Sequence, residues 1–435
     1  VQTRWFTGVV LALPYLITVA ALRGLTVTLP IFHGSDERVY HLPTIHRFAT
    51  QLPFPDLVHY NAAQTPLFHL LMAYVGKVIG YELWRLRLVE VLISYALAWA
   101  VFSLLHRRLG LSRVTALALT LLFELSPYVF GASFRVVTDN LAMLLIVIGI
   151  ERLERFRETR ALGPYAVACG CICLAILTRQ SAAFMLGVAG LYALVARLDW
   201  RHLAWAAGLL VLATAPAGVL FLLWHGLVPK GGNPGSCGFC AAGGGEAGAH
   251  GLLSAQTLEL TLAAFAFYGS IVFAPEVLEL IAERRGSLRV WTKSSGPWIY
   301  AGLAAAALGV LLLVIWPARP GPVGHSAGLL WNAAHRLPAW HGSSLVFWVL
   351  VPLAGVVFVS RLRVSNRPGL LATFFGCFLL GALAIRLPWQ KYVDPFALLA
   401  LMVTVRGFEL TGFRRLLGVV ALAAGSVAYA VSLAA

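Results

Sequence analysis

Charge is what this 435-residue chain has least of: Lys, Arg, Asp and Glu make up only 12% of it, and acidic residues number 18. An ordinary soluble domain carries roughly 25% charged residues, so the shortage excludes a soluble globular enzyme. Nucleotide fingerprints are missing as well. Without a Walker loop or a Gly-x-Gly-x-x-Gly turn, an ATP- or NAD-driven activity has no support. No histidine pair has the spacing of a zinc-protease helix. There is no stretch suited to a separate soluble domain, and no internal repeat of the inverted-repeat transporter kind. No signal-peptide cleavage pattern precedes the first apolar run, which is expected to stay as a helix.

What the chain has is hydrophobicity. Apolar residues make up 60% of it, gathered in runs of roughly 17–22 residues, the length that crosses a bilayer core. The pattern predicts an all-α fold, a polytopic transmembrane helix bundle forming one integral-membrane domain over 1–435. The predicted spans are 5–28, 88–106, 114–131, 137–152, 162–178, 181–196, 203–224, 257–281, 297–316, 343–359, 369–385, 392–406 and 416–434, about 13 helices.

A net charge of +15 suggests nucleic acid, but the placement of the charges argues for lipid. Basic residues cluster in short loops between alternate runs, as at Arg107/Arg108/Arg113, Arg152/Arg155/Arg157/Arg160, Arg284/Arg285/Arg289 and Arg361/Arg363/Arg367. This is the positive-inside signature; it puts those loops in the cytoplasm and leaves no call for a nucleic-acid partner. The external segments are then led by a long first loop, 29–87, with two helix-forming stretches (36–50 and 66–80), and by a Gly-rich loop, 225–256. The expected location is a bacterial inner membrane, with any active site on the extracytoplasmic side.

The unusual polar residues fall on that external side. Asp36 and Glu37 open the first loop, with His41 close behind. Asp139 begins the fourth span, Arg179-Gln180 marks a later turn, and Arg386 to Tyr392 fill another, with Lys391 among them. A carboxylate at the membrane surface suits removal of a proton from a hydroxyl. Arg179, Arg386, Lys391 and Arg135 are the cations available to a phosphate-bearing lipid. Each residue also has a plainer role open to it. Asp36 or Asp139 can cap a helix. Arg179 can snorkel, Lys391 and Arg386 can touch headgroups, and Tyr392 can sit in the aromatic belt. Cys169, Cys171, Cys173 and Cys377 lie in apolar spans as small hydrophobes. Cys237 and Cys240, in Cys-Gly-Phe-Cys, favour a local disulfide over a metal.

Taken in order, these motifs resemble the glycosyltransferase C superfamily, integral-membrane enzymes that use polyprenyl-phosphate sugars. They are most similar to its alpha-1,2-glucosyltransferases of lipid-linked N-glycan precursor assembly. The likeness rests on Asp36-Glu37, His41-Leu42-Pro43, Gln64-Thr65-Pro66, Leu86-Arg87-Leu88-Val89-Glu90, Val137-Thr138-Asp139, Arg179-Gln180, Gly231-Gly232 and the looser Trp389-Gln390-Lys391-Tyr392. It covers about the first 270 residues and departs from the family at Ser181-Ala182. The resemblance implies an inverting hexosyltransferase of glycosyltransferase C architecture that moves a glucose- or mannose-like hexose. The donor would be a polyprenyl-phosphate sugar and the acceptor a glycan or lipid-linked hydroxyl.

In such an enzyme Asp36 and Glu37 are catalytic. Arg179, Lys391 and Arg386 hold the donor phosphate, and His41, Asp139, Gln180 and Tyr392 bind substrate. No cofactor or metal is required by the resemblance, although a divalent cation at the acid pair is compatible with it. The alternative is a transporter or lipid flippase with external acidic ion or proton sites. That class favours charges near mid-span and paired broken helices, and the predicted spans carry few of either.

Overall fold

The structure, a computed structural model, describes residues 2–22, 25, 36–231, 254–273, 296–318, 328–365, 367–385 and 390–405. The described part is all-helical apart from one two-residue hairpin, Ala339–Trp340 with Ser343–Ser344. Among the described residues, five helices are long and apolar enough to cross a membrane: Leu83–Arg108, Trp200–Trp224, Ala255–Val272, Pro297–Ile315 and Leu345–Val364. Shorter apolar helices accompany them, among them Trp5–Ala21, Leu162–Thr178 and Pro368–Leu383. The protein is an integral-membrane helix bundle.

The chain divides into two compact units, one of residues 1–108, 124–249 and 428–435, the other of 109–123 and 250–427. In the first unit, α1 (Gln2–Ala21) packs on α4 (Leu83–Ser103), which also meets α7 (Asp139–Thr159). Further along, α8 (Leu162–Thr178) lies against α7 and α10 (Trp200–Trp224). The Asp199 carboxylate begins α10 by accepting the His202 N–H, an ordinary N-cap. The second unit holds α11 (Ala255–Val272), α12 (Gly296–Ile315), α13 (Leu329–Arg336), α14 (Leu345–Val364), α15 (Pro368–Leu383) and α16 (Asp394–Met402).

Both helical stretches predicted in the first loop are present. A π-helical turn, Glu37–His41, runs into α2 (Leu42–Gln51), and Pro66 precedes α3 (Leu67–Ile79). At 13 residues, α3 reaches about 20 Å, too short to span a bilayer. It stops at Gly80, whose φ of +95° is costly for any residue with a Cβ. A shared core of Ile45, Phe48, Tyr60, Phe68, Met72, Leu86, Val136, Leu141 and Trp224 ties α2 and α3 to α4, α7 and α10. The first loop is therefore part of the first unit's core.

Two predicted spans depart most from what was expected. The 114–131 run breaks into α5 (Arg113–Glu124) and α6 (Pro127–Ala132). Pro127 lacks an N–H and holds Ser126 extended, so the helix cannot continue through it. The span expected at 392–406 shrinks to α16, whose nine residues are all buried. A buried helix in a protein core needs the same apolar composition as a span. Phe184–Val195, α9, covers most of the span predicted at 181–196, after a 3₁₀ turn Gln180–Ala183. The span at 416–434, the Cys237–Cys240 pair and most of the Gly-rich loop lie outside the described residues.

Candidate active site

The acid pair divides its labour. Glu37 is 1% exposed, and Arg87 on α4 meets it with two N–H groups, Nε at 3.1 Å and Nη2 at 2.6 Å. The Val136 backbone N–H adds a third bond to Oε1 at 2.8 Å. Arg87, itself 4% exposed, also donates to the Leu25 carbonyl at 3.0 Å. Two-point pairing of this kind fixes direction as well as distance. Glu37, expected as a catalytic residue, fastens the π-helical turn to α4 and to the 133–138 turn. Among the described residues no three His, Cys, Asp or Glu side chains gather as a metal set.

Asp36 stands directly before that turn, partly exposed, and makes no side-chain cap hydrogen bond. Arg135, which precedes Val136, is 5% exposed. Burial pushes the Arg135 guanidinium down to about 10, while the Glu37 and Asp36 carboxylates act upward on it and Arg87 acts downward. Arg135 is therefore still charged at neutral pH. Asn140 braces this turn by donating to Ser133 Oγ (3.1 Å), Ser94 Oγ (2.8 Å) and the Val129 carbonyl (3.1 Å).

A second pair lies at the other end of the same turn. Arg179 Nη1 is 2.5 Å from Asp139 Oδ1, with the side chains 13% and 31% exposed. Thr138, at the N-cap of α7, makes no side-chain cap bond. Asp139 occupies the first turn of α7, where the helix dipole favours an anion. Arg179 ends α8 in extended conformation. Arg179 is thereby a mostly buried cation held beside the first turn of α7.

The sequence pointed less clearly to Glu90, one turn past Arg87. It is fully buried, and neither carboxyl oxygen has a hydrogen-bond partner among the described residues. Asp139 and Glu37 are the charges that act on it. Arg87 and Glu90 are buried charges in a mostly apolar helix, and intramembrane charges of that kind mark function or strong pairing. That was the available signal.

Other predicted residues take supporting positions. His41 is buried with Nδ1 2.9 Å from Nε2 of His69, the two rings stacked at 5.2 Å. Gln180 donates Nε2 to the Ala63 carbonyl (2.7 Å) and the Leu227 carbonyl (2.9 Å), so its amide nitrogen braces the loop. Thr65 Oγ1 to the Ile176 carbonyl (2.6 Å), Trp224 Nε1 to the Leu57 carbonyl (2.8 Å) and Lys230 N–H to the Val58 carbonyl (2.9 Å) complete that brace. Lys391 and Tyr392 belong to the second unit, the ammonium 5.1 Å from the centre of the mostly buried ring. Arg386 lies outside the described residues.

None of the curated proteins matches this chain. Among solved structures, ArnT from Cupriavidus metallidurans in the apo state shares 18% identity, with a TM-score of 0.38 over 95% of this chain and 76% of that one. The same protein bound to undecaprenyl phosphate gives 17%, 0.37, 95% and 77%. Residues 63–224, which carry Arg87, Glu90, Arg135, Asp139, Arg179 and Gln180, match the dolichyl-phosphate-mannose-protein mannosyltransferase family.

Proposed function

We propose that this protein is an inverting membrane glycosyltransferase that moves a hexose from a polyprenyl-phosphate sugar to a hydroxyl of a glycan or lipid-linked acceptor. One observation carries the reading: Asp36 is partly exposed at the head of a helix whose next residue is locked to Arg87 and Val136. A base must be held still and reachable to act within hydrogen-bond distance. The mannosyltransferase likeness over 63–224 supports a polyprenyl-phosphate donor. Glucose and mannose are the hexoses to try first.

In this reaction Asp36 takes the acceptor's O–H proton as that oxygen attacks the anomeric carbon. The bond from that carbon to the phosphate oxygen breaks, and its electron pair leaves with the polyprenyl phosphate. Arg179 faces the charge that grows on the phosphate, where a preorganised cation is most effective. Asp139 keeps Arg179 in place. We place the reaction on the extracytoplasmic face, because the basic loops of the sequence favour the cytoplasm.

The test is a panel of polyprenyl-phosphate sugars, including glucose and mannose, given to purified protein with donor loss and product followed by mass spectrometry. The parent should turn over at least one donor. Asp36→Asn should lose turnover by about a hundredfold or more, the range general-base catalysis commonly supplies, while it binds donor as before. Parent-like turnover by Asp36→Asn would end the assignment.

A further inference from the structure

We propose that the end of the first unit opposite Asp36 is a binding site for anionic phospholipid, where Arg107 and Arg155 take a lipid phosphate at the last turns of α4 and α7. Such a site is independent of any transfer at Asp36. Arg107 follows Arg87 by about 20 helical residues, which carries it about 30 Å away at roughly 1.5 Å per residue. That is the thickness of a bilayer's hydrocarbon core. The site therefore belongs to the other membrane face, the one that the basic loops of the sequence favour as cytoplasmic.

Arg108 builds the frame. The helix of α4 runs on into a π-helical turn, Leu104–Arg108, which packs on α7. Two ion pairs fasten it there: Arg108 Nε lies 2.6 Å from Glu151 Oε1, and Nη1 lies 3.2 Å from Glu158 Oε2. Glu151, Arg155 and Glu158 are four and three residues apart, so they share one face of α7. Arg155 thus lies between the two carboxylates that Arg108 bridges. Arg107, the chain neighbour of Arg108, is brought to the same stretch of α7.

The glutamates of this rim are all engaged. Besides Arg108, Glu151 has Arg152 Nε at 3.0 Å. The buried Glu154 takes Arg157 Nη2 at 3.2 Å and the Tyr192 hydroxyl at 2.5 Å. Arg107, Arg155 and Arg160 are exposed and make no ion pair among the described residues. They are a positive surplus mounted on a paired, ordered frame. A guanidinium offers a phosphate two parallel N–H groups, which suits arginine to this ligand better than lysine.

Aromatic rings set the depth of the site. Trp99, Phe102 and His106 follow one another down the last turns of α4, with ring centres 5.6 and 5.4 Å apart. Tryptophan favours the boundary between hydrocarbon and headgroups, so Arg107, two turns beyond Trp99, stands at the level of the lipid phosphates. The cytoplasmic leaflet is the one rich in anionic lipid, and each arginine near such a surface strengthens binding by about fivefold. Phosphate on a lipid, rather than phosphate in solution, is the ligand that this depth selects.

The test titrates purified full-length protein in detergent with phosphatidylglycerol, with bound lipid followed by native mass spectrometry and Tm by scanning fluorimetry. Phosphatidylglycerol should stay bound and raise Tm, and phosphatidylcholine should do neither. Arg107→Gln combined with Arg155→Gln should weaken phosphatidylglycerol binding by about twenty-five-fold, two arginines at about fivefold each. The same loss of charge at the exposed Arg197 and Arg201 around the start of α10, as Arg197→Gln with Arg201→Gln, should leave binding close to the parent. Equal weakening in the two double variants overturns the site, since net surface charge would then account for it. Parent-like binding by Arg107→Gln/Arg155→Gln overturns it as well. A Tm rise as large with inorganic phosphate alone overturns the lipid as ligand.

Discussion

Glu37 and Arg87 form a two-point ion pair, at 2.6 and 3.1 Å, between side chains no more than 4% exposed. They are 50 positions apart, and the pair anchors the start of the first-loop helices to a membrane-spanning helix. Breaking a buried pair by removing one partner leaves a desolvated charge and typically costs about 3–5 kcal/mol. Glu37→Ala should therefore lower Tm sharply and cut the yield of monodisperse protein. Glu37→Gln still accepts the Val136 N–H and should be milder. Scanning fluorimetry of detergent-solubilised protein checks this, and an unchanged Tm for Glu37→Ala would refute the clamp.

Arg179 and Asp139 predict a different phenotype, because this pair is partly open. Hydrogen bonds to charged groups are worth about 1.5–3 kcal/mol, so Arg179→Gln should raise donor KM by roughly tenfold to a hundredfold, with a smaller effect on stability. Asp139→Asn frees Arg179 from its anchor without removing the cation, and should weaken donor binding less. Steady-state kinetics with the accepted polyprenyl-phosphate sugar separates the two. A donor KM unmoved by Arg179→Gln removes Arg179 from the phosphate site.

Much of this was legible in the sequence because hydrophobic length and charge clustering are local signals. Helix positions in the first loop followed from Pro66 and from apolar spacing, and both helices are present. The division within Asp36-Glu37 could not be read locally. It depends on Arg87 and Val136, which reach Glu37 from 50 and 99 positions away. Asp139 invited a capping role by its place at a helix start, and only the fold shows Arg179 taking it. Span ends failed for a related reason. The short α16 is as apolar as a membrane helix because it is enclosed by protein.

The brace under the first loop predicts a stability effect far from the acids. Gln180 Nε2 serves the carbonyls of Ala63 and Leu227, and Gln180→Leu would strand both, at about 1–3 kcal/mol for each buried acceptor left unpaired. A Cβ at Gly231 would lie 3.1 Å from the Tyr60 carbonyl oxygen, so Gly231→Ala must displace backbone, and overpacking of that kind costs about 1–3 kcal/mol. Both variants should unfold at lower temperature than the parent, and limited proteolysis should cut first within 52–66. Parent-like Tm for both would show that the loop does not depend on the brace.

The buried histidines predict acid sensitivity. Burial, and then His41, hold His69 well below the ordinary imidazole value of 6.5. The unfolded chain therefore takes up a proton that the folded one refuses. Stability from this source is complete above about pH 6.5 and is lost as pH falls through that value towards the lowered one. Protonating the pair would also set two cations 2.9 Å apart, nitrogen to nitrogen. Tm should thus drop between about pH 6.5 and 5, the range in which imidazoles commonly charge. His69→Phe, which suits the surrounding Phe48, Tyr60 and Phe68 rings, should flatten that slope. An equally steep fall in His69→Phe would assign the acid sensitivity to other groups.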